Sequence, residues 1–209
     1  MKKVLFLDTE TTGLDATKHG IIQLAMLIEI DGKIEGELLV DVQPFEEDLI
    51  VIIEDCPNMI YKRAELIKNM AAIGDISIFP SDIKIENLVN FDFPAEAHQK
   101  IIAFLDKHIS KFDKADKAYL GGYNVQFDRN FISQFFKKCG DNYLGSYLNW
   151  KCLDPLYLLW QMDADGYISL ENYKLENVCK HFGIEIEAHN ALSDIKATYE
   201  LYRKLRGAK

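Results

Sequence analysis

Lys3-Val4-Leu5-Phe6-Leu7-Asp8-Thr9-Glu10-Thr11-Thr12-Gly13-Leu14 is the stretch from which the fold is read. Its opening, Lys3–Asp8, is a short apolar run rich in strand formers. It starts like a secretory leader, but the apolar part stops at Asp8, short of the roughly 7–15 residues of such a core. It therefore reads as a buried strand of an intracellular, cytoplasmic protein. Ile21–Ile30 is a second, nearly continuous apolar run, and Asp31-Gly32 behind it is a strong hairpin signal. Lys33–Val42 returns with the partial alternation of a strand that has one solvated face. The first 42 residues are thus expected to form a three-stranded antiparallel meander.

Residues 44–93 read poorly. Asn58–Ala72 has helical spacing in Ile60, Ala64, Ile67 and Ala71, and the rest resembles loop, so the segment is expected to be an insertion or lid. Regularity resumes with a helix over Ala95–Phe112 and a short strand over Ala118–Gly121. A helix follows over Phe127–Cys139, closed by Gly140, then a strand over Trp150–Leu153 and a helix from Pro155. Lys174–Phe182, stopped by Gly183, and Ala191–Leu205 complete the set. This order predicts an α/β fold, a mixed five-stranded sheet with helices on both faces, in one domain over residues 1–209. Asp8 ends the first strand, where open sheets commonly place their ligands.

At 209 residues, with 48% hydrophobic and 27% charged residues, the chain suits one globular domain and is too apolar for disorder. No apolar stretch approaches the roughly 20 residues of a membrane span. Cys56, Cys139, Cys152 and Cys179 lack C-x-x-C spacing and read as reduced residues, not as a zinc site. The net charge of −9 argues against broad nucleic-acid binding. Two divalent ions in an acidic site would offset part of it. Basic residues are also concentrated in Lys107–Lys117, Arg129–Lys138 and Lys196–Lys209.

Asp8 and Glu10 are two apart on an extended segment, so they share one face, where they repel unless a cation lies between them. Such a pair suits hard, oxygen-seeking ions such as Mg²⁺ or Mn²⁺; the bland alternative is a solvated pair at a strand end. Gly13 in the following turn would let a ligand approach the backbone. Asp128 opens a helix with an apolar face, where the helix dipole favours an acid by roughly 0.3–1 kcal/mol with or without a function. Asn124 suits either a substrate hydrogen bond or the turn itself. His189 and Asp194 are five apart, roughly 140° net on one helix. They can reach one site only if His189 lies on the loop ahead of the helix and Asp194 within its first turns. Asp163-Ala164-Asp165-Gly166 looks like part of a calcium loop, but Gln161 and Asn172 fall where that loop needs acids, so it is expected to be a turn.

Asp8-Thr9-Glu10-Thr11-Thr12-Gly13-Leu14, Asn124-x-x-x-Asp128 and His189-x-x-x-x-Asp194 together resemble the DEDDh 3′–5′ exonucleases. That group includes the proofreading epsilon subunit of bacterial replicative polymerase and ribonuclease T. Leu175-Glu176-Asn177-Val178-Cys179 and His181-Phe182-Gly183-Ile184 resemble the family's approach to its last motif. Asn190 stands where the sister branch places tyrosine, which favours the histidine branch. The resemblance implies a ribonuclease H-like fold. It implies two divalent metal ions (Mg or Mn) held by Asp8, Glu10, Asp128 and Asp194. His189 would be the general base that takes a proton from the attacking water, releasing nucleoside 5′-monophosphates from a 3′ end. Thr11 and Leu14, with Asn124, would contact the terminal nucleoside of single-stranded nucleic acid, DNA before RNA. Tyr123 departs from the family, whose members often carry histidine there. The chain ends directly after its last helix, so a free-standing nuclease without a polymerase-binding tail is expected. The competing expectations are an exonuclease of RNA ends or short oligoribonucleotides, and a non-catalytic nucleic-acid-binding adaptor of the same fold.

Overall fold

A computed structural model describes residues 2–45, 47–48, 90–187 and 190–207. The helix expected over Asn58–Ala72 lies outside them, as do Cys56 and His189.

The described strands are β1 (Lys3–Thr11), β2 (Ile21–Ile30), β3 (Lys33–Asp41), β4 (Ala118–Gly121) and β5 (Leu148–Leu153). They form one sheet in the order β3-β2-β1-β4-β5. The meander β1-β2-β3 is antiparallel, and β4 and β5 add to it in parallel. The hairpin between β2 and β3 closes through Asp31 (φ 50°) and Gly32 (φ 86°), the positive φ values that a two-residue turn of matching twist requires. β1 runs three residues beyond the expected Asp8 and so carries Glu10 within the sheet.

Side-chain parity on β1 sorts two layers. Leu5 and Leu7, with Leu24, Met26 and Ile28 of β2, pack against helices α1 (Pro94–His108) and α2 (Val125–Lys138). Val4 and Phe6, with Ala25 and Leu27, meet the last helix on the other face. Two helices come before it, α3 (Pro155–Ala164) and α4 (Leu175–Phe182), and that last helix is α5 (Ala191–Leu205). There the Phe6 ring meets Tyr199 and Tyr202 edge-on, each at 5.4 Å between centroids. Leu159, Val178 and Cys179 then pack α3 and α4 behind α5, against Ala197 and Leu201.

Helix α1 stops at His108, short of the expected Phe112, because Ile109 is extended and Phe112 turns to φ 69°. Gly140 and Gly183 close α2 and α4 at φ 79° and 64° as expected. Asp163–Gly166 is the turn that ends α3, with Gly166 at φ 76° and its N–H donating to Asp163 O. Residues 42 and 92 lie side by side: Gln43 N donates to Asp92 O at 2.9 Å, and Asp92 N to Asp41 O at 3.1 Å. No helix among the described residues is long and apolar enough to cross a membrane.

Candidate metal centre

Asp8 and Glu10 lie on the β1 face that turns towards α5. In the antiparallel register they stand opposite Ala25 and Gln23 of β2. Gln23 connects strand to helix, as its Oε1 accepts from Ala191 N at 3.1 Å and its Nε2 donates to Asp41 Oδ1 at 2.7 Å. The N-terminus of α5 is thereby held beside Glu10. Asn190 caps that helix by accepting from Ser193 N at 3.0 Å, and Ser193 Oγ accepts from Glu187 N at 2.9 Å. Asp194, in the first turn, comes round to the same side. Ligand oxygens of Asp8, Glu10 and Asp194 all lie within 4.8 Å of one another.

Asp128 arrives from the opposite layer. β4 ends at Gly121, opposite Phe6, so β1 continues past it with unpaired backbone on that side. Asp128 Oδ1 occupies the gap, accepting from Thr9 N at 2.9 Å and Thr9 Oγ1 at 2.7 Å. The side chain is buried and belongs to the first turns of α2, which begins three residues ahead of it. The link from β4 to α2 is tight. A Cβ at Gly122 would lie 2.8 Å from Leu7 O, and Asn124 adopts φ 56°, ψ 40°, a conformation asparagine tolerates better than most residues.

Asp154 fixes that link. Its buried carboxylate accepts from Asn124 N (3.2 Å), Val125 N (3.0 Å) and, as cap of α3, Leu156 N (2.9 Å). One carboxylate thus sets the starts of two helices, one of which carries Asp128. The local signal for Asp154 is an acid directly before Pro155 at a helix start, a cap pattern that says nothing of its reach to Asn124 and Val125.

Crowding leaves an electrostatic mark. Burial, followed by the charges of Asp128, Asp194 and Glu10, holds the Asp8 carboxyl well above the usual carboxylate range. Burial also pushes Asp128 up to about 7, against the Thr9 hydrogen bonds that favour its charged form. Burial raises Asp154 too, against its three backbone donors. Acids this close keep protons or accept a cation. Oxygen-only donors at this separation suit a hard divalent ion, so the residues fit a metal.

The remaining expected residues are placed as follows. Thr11 Oγ1 donates to Gly13 O at 2.7 Å, and Leu14 is 86% exposed beside that turn. The room at Gly13 is filled by the chain's own His19, whose ring would lie 2.4 Å from an added Cβ. Tyr123 Oη donates to Tyr173 O at 2.5 Å, which ties α2's approach to the loop before α4. Asn124 is exposed and lines, with Trp160, Tyr173, Lys174 and Asp194, a groove of about 610 Å³.

A family model described as Exonuclease, of the ribonuclease T type, matches residues 95–202. The chain is similar to the DNA polymerase III PolC-type of Halalkalibacterium halodurans, 28% identical over 203 residues that cover 96% of this chain and 11% of the polymerase. Among solved structures it is similar to product-bound exonuclease I, with a TM-score of 0.68 and 17% identity over all of this chain and 44% of that one. E. coli exonuclease I in complex with a dT13 oligonucleotide gives a TM-score of 0.69 at 17% identity, covering 99% of this chain and 41% of that one. The chain therefore spans a small part of the polymerase and less than half of the exonuclease I chains.

Proposed function

Since this chain belongs to the exonuclease family, in its DEDDh branch, we propose that it removes nucleotides from the 3′ end of single-stranded nucleic acid, DNA in preference to RNA. The observation that carries the proposal is the convergence of Asp8, Glu10 and Asp194 within 4.8 Å, with Asp128 beside them through Thr9. These four carboxylates would hold two Mg²⁺ or Mn²⁺ ions, which, when bound, neutralise charge on the attacking and leaving oxygens of the displacement. The chain's own part is to position and to move a proton. Gln23 and Asn190 hold Asp194 over β1, and Thr9 orients Asp128. His189, just ahead of α5 in sequence, is assigned as the base that takes the proton of the attacking water. An imidazole suits that role near neutral pH. Thr11, Leu14 and Asn124 are assigned to the terminal nucleoside. The preference for DNA is supported by the oligodeoxynucleotides dA16 and dT13 held by exonuclease I of the same fold, and by the polymerase relative.

The test is a 5′-labelled single-stranded oligonucleotide with Mg²⁺ or Mn²⁺, in DNA and RNA versions. The expected result is a ladder that shortens one nucleotide at a time, faster on DNA, and stops in EDTA. Internal cuts only, or full activity in EDTA, would overturn the proposal. A faster ladder on RNA would reassign the substrate, and Mn²⁺-independent binding without cleavage would favour an adaptor.

A further inference from the structure

Two of the basic stretches in the sequence meet on one surface. Lys114 and Lys117, from the loop before β4, face Arg129 and Lys137 of α2 across a groove of about 530 Å³ along the β5 edge of the sheet. Trp150 forms its wall and is 75% exposed. Among the described residues no carboxylate lies within 4 Å of any of these four cations, whereas Lys3, Lys100, Lys138, Lys196 and Lys204 each have one. The groove's own acid, Asp141, is engaged elsewhere: its Oδ2 lies 3.4 Å from His98 Nε2, and its Oδ1 accepts from Tyr143 N at 2.6 Å. Arg129 and Lys117 are anchored by carbonyls, not by charge. Arg129 Nη1 donates to Trp150 O at 3.0 Å, and Lys117 Nζ donates to Gly145 O. An uncompensated cluster on a chain of net charge −9 is a specific feature, not the average surface.

On α2 the lining of the groove reaches to within one residue of Asp128 and leads away from it. Arg129 directly follows Asp128, and Lys137 lies eight residues further along α2, about 12 Å at 1.5 Å per residue. We propose that this groove binds the phosphodiester backbone of a single strand upstream of the 3′ end being cut, with Trp150 stacking on a base; the inference rests on the nuclease reading above. Alternating phosphates and bases match a row of cations beside an exposed indole, the pairing that sequence-tolerant single-strand grooves use. An acidic peptide would satisfy the cations but leave the indole without a matching partner.

The experiment measures binding by fluorescence anisotropy with Ca²⁺ in place of Mg²⁺, so that no turnover is needed. The probes are labelled oligothymidylate and oligouridylate of about four and about twenty nucleotides, lengths that bracket the usual site sizes of single-strand grooves. The expected result is that the longer oligomer binds at least about tenfold tighter, with a log–log salt slope steeper by about 3, at roughly 0.7 for each of four phosphates. Lys114→Glu with Lys137→Glu, both at exposed positions, removes that advantage and lowers the slope by about 1.4. Trp150→Ala costs the longer oligomer about tenfold, within the range for loss of one stacked base. Equal affinity for both lengths, an equal loss on both lengths in the double variant, or unchanged binding by that variant would overturn the groove. So would a polyglutamate peptide that binds it while the oligomers do not. A length advantage without any nucleotide ladder would sink the nuclease reading alone, and a ladder without the length advantage would sink the groove alone.

Discussion

The two ends of α2 carry opposite electrostatics. Near its N-terminus, Asp128 is buried among carboxylates that raise one another's proton affinity. Near its C-terminus, exposed Lys137 joins Lys114 and Lys117 in a groove that Arg129 enters from the first turns, and among the described residues no carboxylate lies within 4 Å of these cations. Both placements suit the helix dipole, but the lesson is wider. A net charge of −9 says little about nucleic-acid binding once the acids that matter are gathered where cations would neutralise them. The bases form a separate surface. On the proposed reading the acidic end serves chemistry and the basic end grip, and one helix sets their spacing.

The acidic end should be by far the more sensitive. Asp194→Asn or Asp8→Asn removes a ligand charge, and loss of several kcal/mol of transition-state stabilisation lowers the cleavage rate by about 10³-fold or more. Affinity for the longer oligomer should stay within a few-fold when measured without turnover. A variant that loses both together would show that the two ends are not separate.

Asp154 comes next. Asp154→Ala leaves Asn124 N, Val125 N and Leu156 N without their acceptor. Displacement of Asp128 should then cost about 10–100-fold in cleavage, the usual range for groups that orient metal ligands. Asp154→Asn keeps an acceptor oxygen and should restore most of the rate. Equal rates for the alanine and asparagine variants would show that Asp154 only stabilises the fold.

The smallest effect concerns pH. Asp8 and Asp128 have folded-state pKa values above their unfolded ones. Their contribution to stability is therefore full below about pH 4 and is lost as pH rises through the raised values, about 7 for Asp128. Divalent cations would replace the protons on the same oxygens. Saturating Mn²⁺ should raise Tm by about 5 °C or more at pH 8, as about 2–3 kcal/mol of linked binding predicts, and by less than about 2 °C at pH 5. A Tm gain that does not change with pH would contradict the crowded-carboxylate picture.

Most of the sheet was legible, because β1 and β2 are continuous apolar runs and Asp31-Gly32 permits only a tight reversal. The Ile21–Ile30 and Ala191–Leu205 bounds were read as they stand in the structure. The convergence of Asp8, Glu10 and Asp194 was legible through strand parity and through Asp194's place in the first turns of a helix. Less visible was how the site is held together. Gln23 and Asp154 act through backbone N–H groups 168 and about 30 residues away, partners that no local pattern reveals. Gly13 was read as room for a ligand, but the space belongs to His19. The basic groove was invisible as a groove, because its two halves are separate in sequence and meet only when α2 folds back along β4.

The most direct test of the central claim is calorimetric titration of the intact chain with Mn²⁺, with and without a nucleoside 5′-monophosphate. The account predicts about two ions per chain in the presence of the nucleotide, a much weaker response in Asp8→Asn, and proton release that grows as pH falls from 8 towards 6. Absence of saturable Mn²⁺ binding in the wild-type chain, or binding that Asp8→Asn leaves unchanged, would contradict it.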